Sequence, residues 1–337
     1  MLAPVADPCD RLGRLLSSGA AVPDLSVLVE AGTDTLPLPG SGRTLVRWQA
    51  LAAVAARDLA LVKLFEGHTD ALAIMAELGF PDEPPPGSRW GTWCAEPPDA
   101  RVGLRRHAGD DGFRLSGVKA WCSGAATLTH ALISCWDEEG RPCLAAVGLG
   151  QPGVTVTSSG WHAVGMAGTG SVDVRFDDAV ATPVGKPGDY VSRAGFWQGG
   201  AGIAACWYGG AQGIADMVRQ RLGPKPDAHR LAHLGAIDIV LAGAAAVLRE
   251  TATWIDTHPR VEAHVPAMRA RLAVEHAATR VVDHAGRALG AGPLCRDARF
   301  AQAMADLPVF LRQSHAERDL ASLGGVLAGN EAWTWKL

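Results

Sequence analysis

From Arg193 onward the chain consists of long stretches rich in alanine and leucine, running to Leu222, from Ala228 to Ile255, from Pro266 to Leu289 and from Ala298 to Leu327. Alanine and leucine lose least on entering a helix, and apolar residues at helical spacing need a neighbouring apolar face to cover them. The pattern therefore predicts an antiparallel four-helix bundle. Its connections fall at Gly223-Pro-Lys-Pro226, His258-Pro259 and Gly290-Ala-Gly-Pro293, and Pro308 is placed to bend or split the last helix.

Two other patterns precede this one. Val46, Trp48, Leu51, Val54, Leu59, Val62 and Phe65 follow helical spacing from Leu45 to Phe65; Gly67 then interrupts, and a second helical run covers Thr69 to Leu78. Glu66-Gly-His68 would then lie between helices, as a cap in the favoured reading or else as a site contact. Pro81-Asp-Glu-Pro-Pro-Pro-Gly87 reads as a linker. Beyond it, short apolar runs alternate with turn residues. Gly109–Gly112 separates Arg101–Arg106 from Phe113–Val118, and Asp137–Gly140 separates Ala131–Trp136 from Cys143–Leu149, which predicts a mostly antiparallel β segment. Val154–Thr157 and Ser171–Phe176 continue it, with Val172, Val174 and Phe176 on one face.

With 337 residues the chain has room for two or three domains and a buried ligand. Its 35 acidic and 31 basic residues nearly balance, so no general field favours nucleic acid or an anionic membrane, and a small-molecule partner fits better. The 7 cysteines form no CxxC pair, which points to reduced thiols and a cytoplasmic location. No window offers about 18 uncharged apolar residues for a membrane span.

Some segments carry more specific patterns. Gly165-Met-Ala-Gly-Thr-Gly-Ser-Val-Asp-Val-Arg-Phe-Asp-Asp-Ala-Val-Ala-Thr-Pro183 combines a glycine-rich turn, a strand and an exit, with Asp177 and Asp178 read as turn and capping residues. Lys119-Ala-Trp-Cys-Ser123 places an aromatic residue two positions from a hydroxyl, and Gly91-Thr-Trp-Cys-Ala-Glu-Pro97 opens the β segment. Together these resemble the middle-domain signatures of the acyl-CoA dehydrogenase family of flavoproteins. The resemblance implies an α+β protein of acyl-CoA dehydrogenase-like fold: an N-terminal helical domain over residues 1–88, shortened relative to the family, a β-barrel domain over 89–187 and a C-terminal four-helix bundle over 188–337. It also implies FAD as cofactor and a homodimer or homotetramer, because the family builds its flavin sites across adjacent subunits.

On the same resemblance, the main-chain amides of Cys94 and Ala95 contact the flavin pyrimidine, Trp121 lies beside the ring system, and Ser123 bonds near N5. A flavin site needs an aromatic wall and a hydrogen-bond donor at the N5/O4 edge. The plainer reading of Trp121 is a core residue of a strand. In Ala285-Gly-Arg-Ala-Leu-Gly-Ala-Gly292, Gly290 and Gly292 match the segment that binds the adenosine diphosphate half of FAD, or form an ordinary helix end. The family's Arg-x-x-Phe-Gly diphosphate motif is replaced by Gly223-Pro-Lys-Pro-Asp227.

Acyl-CoA dehydrogenation needs a carboxylate to take the α-proton of an acyl-CoA or related thioester while the β-hydride passes to flavin N5. Glu317, in Leu311-Arg-Gln-Ser-His-Ala-Glu-Arg-Asp-Leu320, is the candidate base, with Asp319 and His315 beside it; charged residues at this spacing also suit a solvated helix face. A flavin-dependent monooxygenase of the same fold needs no such base, and a non-catalytic scaffold would lack the flavin. Gly148-Leu-Gly-Gln-Pro-Gly153 has dinucleotide-binding spacing, but a strand pattern follows where a helix is required. His229 and His233 have metal-site spacing without the needed glutamate.

Overall fold

In the computed structural model, residues 8–17, 21–109, 112–329 and 335 are described. Helices α1 (Pro8–Ser17), α2 (Leu25–Glu30), α3 (Thr44–Arg57) and α4 (Leu59–Glu77) precede the strands β1 (Trp90–Trp93), β2 (Val102–Arg106), β3 (Phe113–Cys122), β4 (His130–Trp136), β5 (Pro142–Gly148), β6 (Val154–Val156) and β7 (Val172–Val184). Then follow α5 (Asp189–Ser192), α6 (Gly195–Arg221), α7 (Ala228–Thr257), α8 (His264–Leu289), α9 (Ala291–Arg296), α10 (Ala298–Phe310) and α11 (Glu317–Ala328). The residues gather into two units: the chain up to Leu36 with Ala60–Phe196, and Pro37–Leu59 with Trp197–Leu337.

In the first unit the seven-stranded sheet closes on itself. Strands β4, β2, β3, β7 and β5 follow one another and β5 pairs back to β4, making a barrel, with β1 beside β4 and β6 beside β7. β2 and β3 pair antiparallel with Arg106 opposite Phe113, the middle of the predicted Gly109–Gly112 turn lying outside the described residues, and Asp137–Gly140 joins β4 to β5 with Trp136 opposite Pro142. The pairings of β1 and β2 with β4 are parallel; the others are antiparallel. Helix α4 covers one face of this sheet, burying Ala71, Ile74 and Met75 against Trp90, Leu132, Leu144 and Val184.

Two local expectations are corrected. The helix does not break at Gly67: α4 runs through it, and the turn falls at Asp58, whose backbone is extended (φ −160°, ψ 130°). Gly67 lies against β1 at ordinary contact distance: a Cβ would stand 3.6 Å from the main-chain nitrogen of Thr92, and the Thr92 hydroxyl donates to Gly67 O over 2.7 Å. Likewise Asp177 and Asp178 lie within β7, at an irregularity opposite Leu115–Gly117, and not in a turn. Asp178 takes φ 56° and pairs with Arg105 at 2.7 Å, so its short polar side chain tolerates the left-handed backbone of a bulge.

The second unit is helical. Helix α3 packs so closely on α6 that a Cβ on Gly209 would meet Ala52 O at 2.2 Å, which only glycine permits. Asp256, near the end of α7, caps α3 from a distance: it accepts from Gly42 N at 3.0 Å, Thr44 N at 3.0 Å and Thr44 Oγ1 at 2.6 Å, satisfying donors that a helix start leaves open. The last predicted helix divides into α10 and α11. The break follows Pro308 by several residues, at a 3-10 turn over Leu311–Gln313 and at Ala316, where φ is 46°. Helix α7 is long and apolar enough to cross a membrane, Asp238 notwithstanding, and only 17% of its most apolar window is buried.

Candidate functional site

Trp121 sits where β3 slips in register against β7, between Lys119 and Cys122. Its backbone is left-handed (φ 57°) and its indole is 52% exposed. A bulky residue in that conformation costs about 1–3 kcal/mol and persists only where its surroundings hold it. Here they do. Cys122 is fully buried, Ser123 N donates back to Trp121 O at 3.0 Å, and Gly124 N donates to Thr169 O at 2.7 Å. The core-residue reading of Trp121 is thereby excluded: the bulge holds an indole outward as a flat apolar surface.

Beside it, the glycine-rich segment is brought onto the same end of the barrel by the pairing of Cys122 with Val172. Ser123 Oγ lies 2.8 Å from Ser171 Oγ, Ser171 Oγ lies 2.8 Å from Thr169 Oγ1, and Thr169 Oγ1 donates to Met166 O at 2.8 Å. Ser171 and Thr169 are buried, while Ser123 is half-buried. Trp93 Nε1 donates to Ser123 O at 3.1 Å, tying β1 to the bulge.

A second network lies one residue behind the bulge. Lys119 is 1% exposed, and its ammonium donates to Glu96 Oε1 at 2.5 Å, Ser134 O at 3.0 Å and Ser134 Oγ at 2.6 Å. Glu96 also accepts from the Ser134 hydroxyl and, at 2.9 Å, from Trp136 Nε1. Burial works to raise the Glu96 carboxyl, but bonds from Lys119, Ser134 and Trp136 outweigh it and hold it below the usual value. All three ammonium donors are satisfied, as a buried lysine requires.

Of the sequence candidates, Cys94 and Ala95 join β1 to Glu96, so the pairing of Trp93 with Ile133 fixes the chain before them and this network fixes it after them. The Cys94 thiol packs against the α4-covered core, and burial pushes it up to about 11, which keeps it neutral. Gly290, in the second unit, ends α8 with φ 67°, and its N–H donates to Gly286 O at 2.9 Å; Gly292 lies in α9, and a Cβ on either residue would meet nothing within 4 Å. Glu317 is the exposed first residue of α11, and Asp319, two positions on, accepts from His315 N at 3.0 Å.

The motifs set aside in the sequence have other uses. His68 is mid-helix and not a cap: it accepts Trp90 N on Nδ1 at 3.1 Å and meets Asp34 through Nε2 at 3.0 Å. His233 meets His284, Nδ1 to Nδ1, at 3.0 Å, and among the described residues no cluster of three or more metal-binding side chains occurs. Gly148 ends β5, and Leu149–Gly153 is a turn. An open cleft of about 920 Å³ is lined by Leu128, His130, Gln151 and neighbours but not by Trp121 or Ser123; the strained, outward indole places the candidate site at the bulge instead.

No family model matches the chain, and no curated protein matches it. Solved structures do. KijD3 in complex with FMN and dTDP-3-amino-2,3,6-trideoxy-4-keto-3-methyl-D-glucose aligns with a TM-score of 0.79 and 22% identity over 97% of this chain and 95% of that one. The methanesulfinate monooxygenase MsuC from Pseudomonas fluorescens aligns with 0.78 and 19% over 96% of each. A nitrososynthase from Micromonospora carbonacea var. africana gives 0.75 and 20% over 97% and 98%. The chain has the acyl-CoA dehydrogenase-like fold. In this fold Trp93, the segment Trp121–Ser123 and the segment Met166–Val172 meet at one end of the barrel. The roles of Lys119, Ser134 and Ser171 rest on partners distant in sequence, and that of Thr169 on its bond to Ser171; only the presence of Glu96 and Lys119 within the quoted motifs hints at the charged pair.

Proposed function

We propose that the chain is a flavin-dependent oxidoreductase. The observation that carries this reading is Trp121: an aromatic side chain held outward on a strained bulge, beside a half-buried hydroxyl, is a surface prepared for a planar ligand. A flavin bound there supplies a two-electron acceptor. On the family resemblance, Trp121 would stand against the ring, the amides of Cys94 and Ala95 would bond the pyrimidine, and Ser123 would meet the N5 edge. FAD is the cofactor on the family resemblance, its adenosine diphosphate half received by Gly290 and Gly292 of an adjacent subunit; FMN, present in the KijD3 complex, is the alternative. The chain is a divergent, cytoplasmic member of the group and a homodimer or homotetramer, a state supported by the uncovered apolar length of α7, where Leu231 is 50% and Ile239 73% exposed.

Two reactions fit this site. In the dehydrogenase reading, Glu317 takes the α-proton of an acyl-CoA or related thioester. The monooxygenase reading, in which a small molecule is oxygenated, is supported by the name of MsuC and needs no carboxylate. Visible absorbance of the purified protein with FAD or FMN tests the common part. Anaerobic bleaching by acyl-CoA, abolished in Glu317→Gln, selects the first reaction, and oxygen uptake dependent on reduced flavin selects the second. A protein that binds neither flavin refutes the proposal.

A further inference from the structure

We infer that Ser171 and Thr169 are positioning residues which fix the Ser123 hydroxyl as a hydrogen-bond acceptor, so that the site selects a ligand carrying a hydrogen at that point. For a flavin this is the reduced form, and to that extent the inference rests on the function proposed above.

The argument is an accounting of protons. A hydroxyl has one hydrogen to donate and two lone pairs. The contact between Thr169 Oγ1 and Met166 O, at 2.8 Å, joins a hydroxyl to a carbonyl oxygen that can only accept, so it consumes the Thr169 hydrogen. The 2.8 Å contact between Thr169 and Ser171 must then use the Ser171 hydrogen, and the 2.8 Å contact between Ser171 and Ser123 must use that of Ser123. Ser171 is 4% and Thr169 2% exposed. The Ser123 amide is spent as well, on Trp121 O at 3.0 Å. Ser123 therefore reaches its ligand with lone pairs alone, which reverses the expected donor at the N5/O4 edge. Oxidised flavin presents only acceptors there, N5 and O4, whereas two-electron reduction places a hydrogen on N5. Acceptor against acceptor leaves a half-buried polar group unpaired, and acceptor against N–H makes a bond.

The test is the dissociation constant of oxidised flavin and of dithionite-reduced flavin, measured by fluorescence and anaerobic absorbance titration on the wild-type protein, Ser171→Ala and Thr169→Val. Taking the ratio on one protein cancels any loss of folded material. The wild type is expected to favour the reduced form by roughly two- to tenfold, the worth of one net hydrogen bond. Ser171→Ala, which frees the Ser123 hydrogen, should shrink that preference mainly by tightening oxidised binding, and Thr169→Val should follow in the same direction. Equal affinity for the two forms in the wild type, or a ratio that neither substitution changes, overturns the inference while leaving the flavin reading intact. Failure to bind flavin in either state overturns both.

Discussion

Two networks flank Trp121, and they are built from opposite materials. Behind it, Lys119, Glu96, Ser134 and Trp136 form a charged cluster around an ammonium with 1% exposure. Beside it, Ser123, Ser171 and Thr169 form an uncharged chain of hydroxyls. A buried charge is costly to leave unpaired, whereas a neutral hydroxyl bond contributes little net stability. The charged cluster therefore holds the bulge and the Cys94–Ala95 segment in place, and the hydroxyl chain sets polarity without much effect on folding.

The largest effect should come from breaking the charged side asymmetrically. Glu96→Gln leaves the buried ammonium without its counter-ion and should cost about 3–5 kcal/mol. Lys119→Met leaves a carboxylate whose side chain is 31% exposed and still bonded by Ser134 and Trp136, so it should cost less, on the order of 1–3 kcal/mol. Urea denaturation of both variants checks the order; equal costs would mean the cluster is not governed by the buried lysine.

Acid should reproduce the first substitution. The Glu96 carboxyl is held below its unfolded value, so its contribution is fully present above the unfolded pKa and is lost as pH falls through the folded one. The melting temperature of the wild type should fall more steeply than that of Glu96→Gln below roughly pH 4.5, near the ordinary glutamate value. Parallel profiles would remove Glu96 from the account.

On the neutral side, Ser171→Ala should cost only about 1 kcal/mol by the same denaturation measurement. A loss as large as that of Glu96→Gln would show that the hydroxyls bear structural load and erase the contrast. Smallest of all should be the effect on folding of Trp121→Gly. Glycine adopts φ 57° without strain, and this relief offsets the modest packing that a half-exposed indole provides, so stability should change by less than about 1 kcal/mol.

What could be read beforehand follows the same division between local and distant causes. The antiparallel pairing of β2 with β3, the hairpin turn at Asp137–Gly140, the long C-terminal helices and the motif around Trp121 and Ser123 are written in neighbouring residues. A glycine in a helical run looks like a break, yet α4 continues through Gly67, whose carbonyl accepts from Thr92, 25 residues away. Asp177 and Asp178 misled likewise: paired acidic residues suggest a turn, but a bulge in β7 opposite Leu115–Gly117 accommodates them. The pairing of Lys119 with Glu96 and the hydroxyl chain join residues 23 and 48 positions apart, which no local pattern expresses.

The central claim is that the bulge at Trp121 is a flavin site held by the rest of the barrel. The direct test is flavin binding, by visible absorbance and fluorescence quenching, to the wild type and to Trp121→Gly, with melting curves on both. The account predicts that the wild type binds flavin and that the variant, folded to nearly the same melting temperature, binds at least about tenfold more weakly, as expected when an aromatic stacking partner worth about 1.4 kcal/mol is removed. Equal binding by the two proteins, or no binding by the wild type, would contradict it.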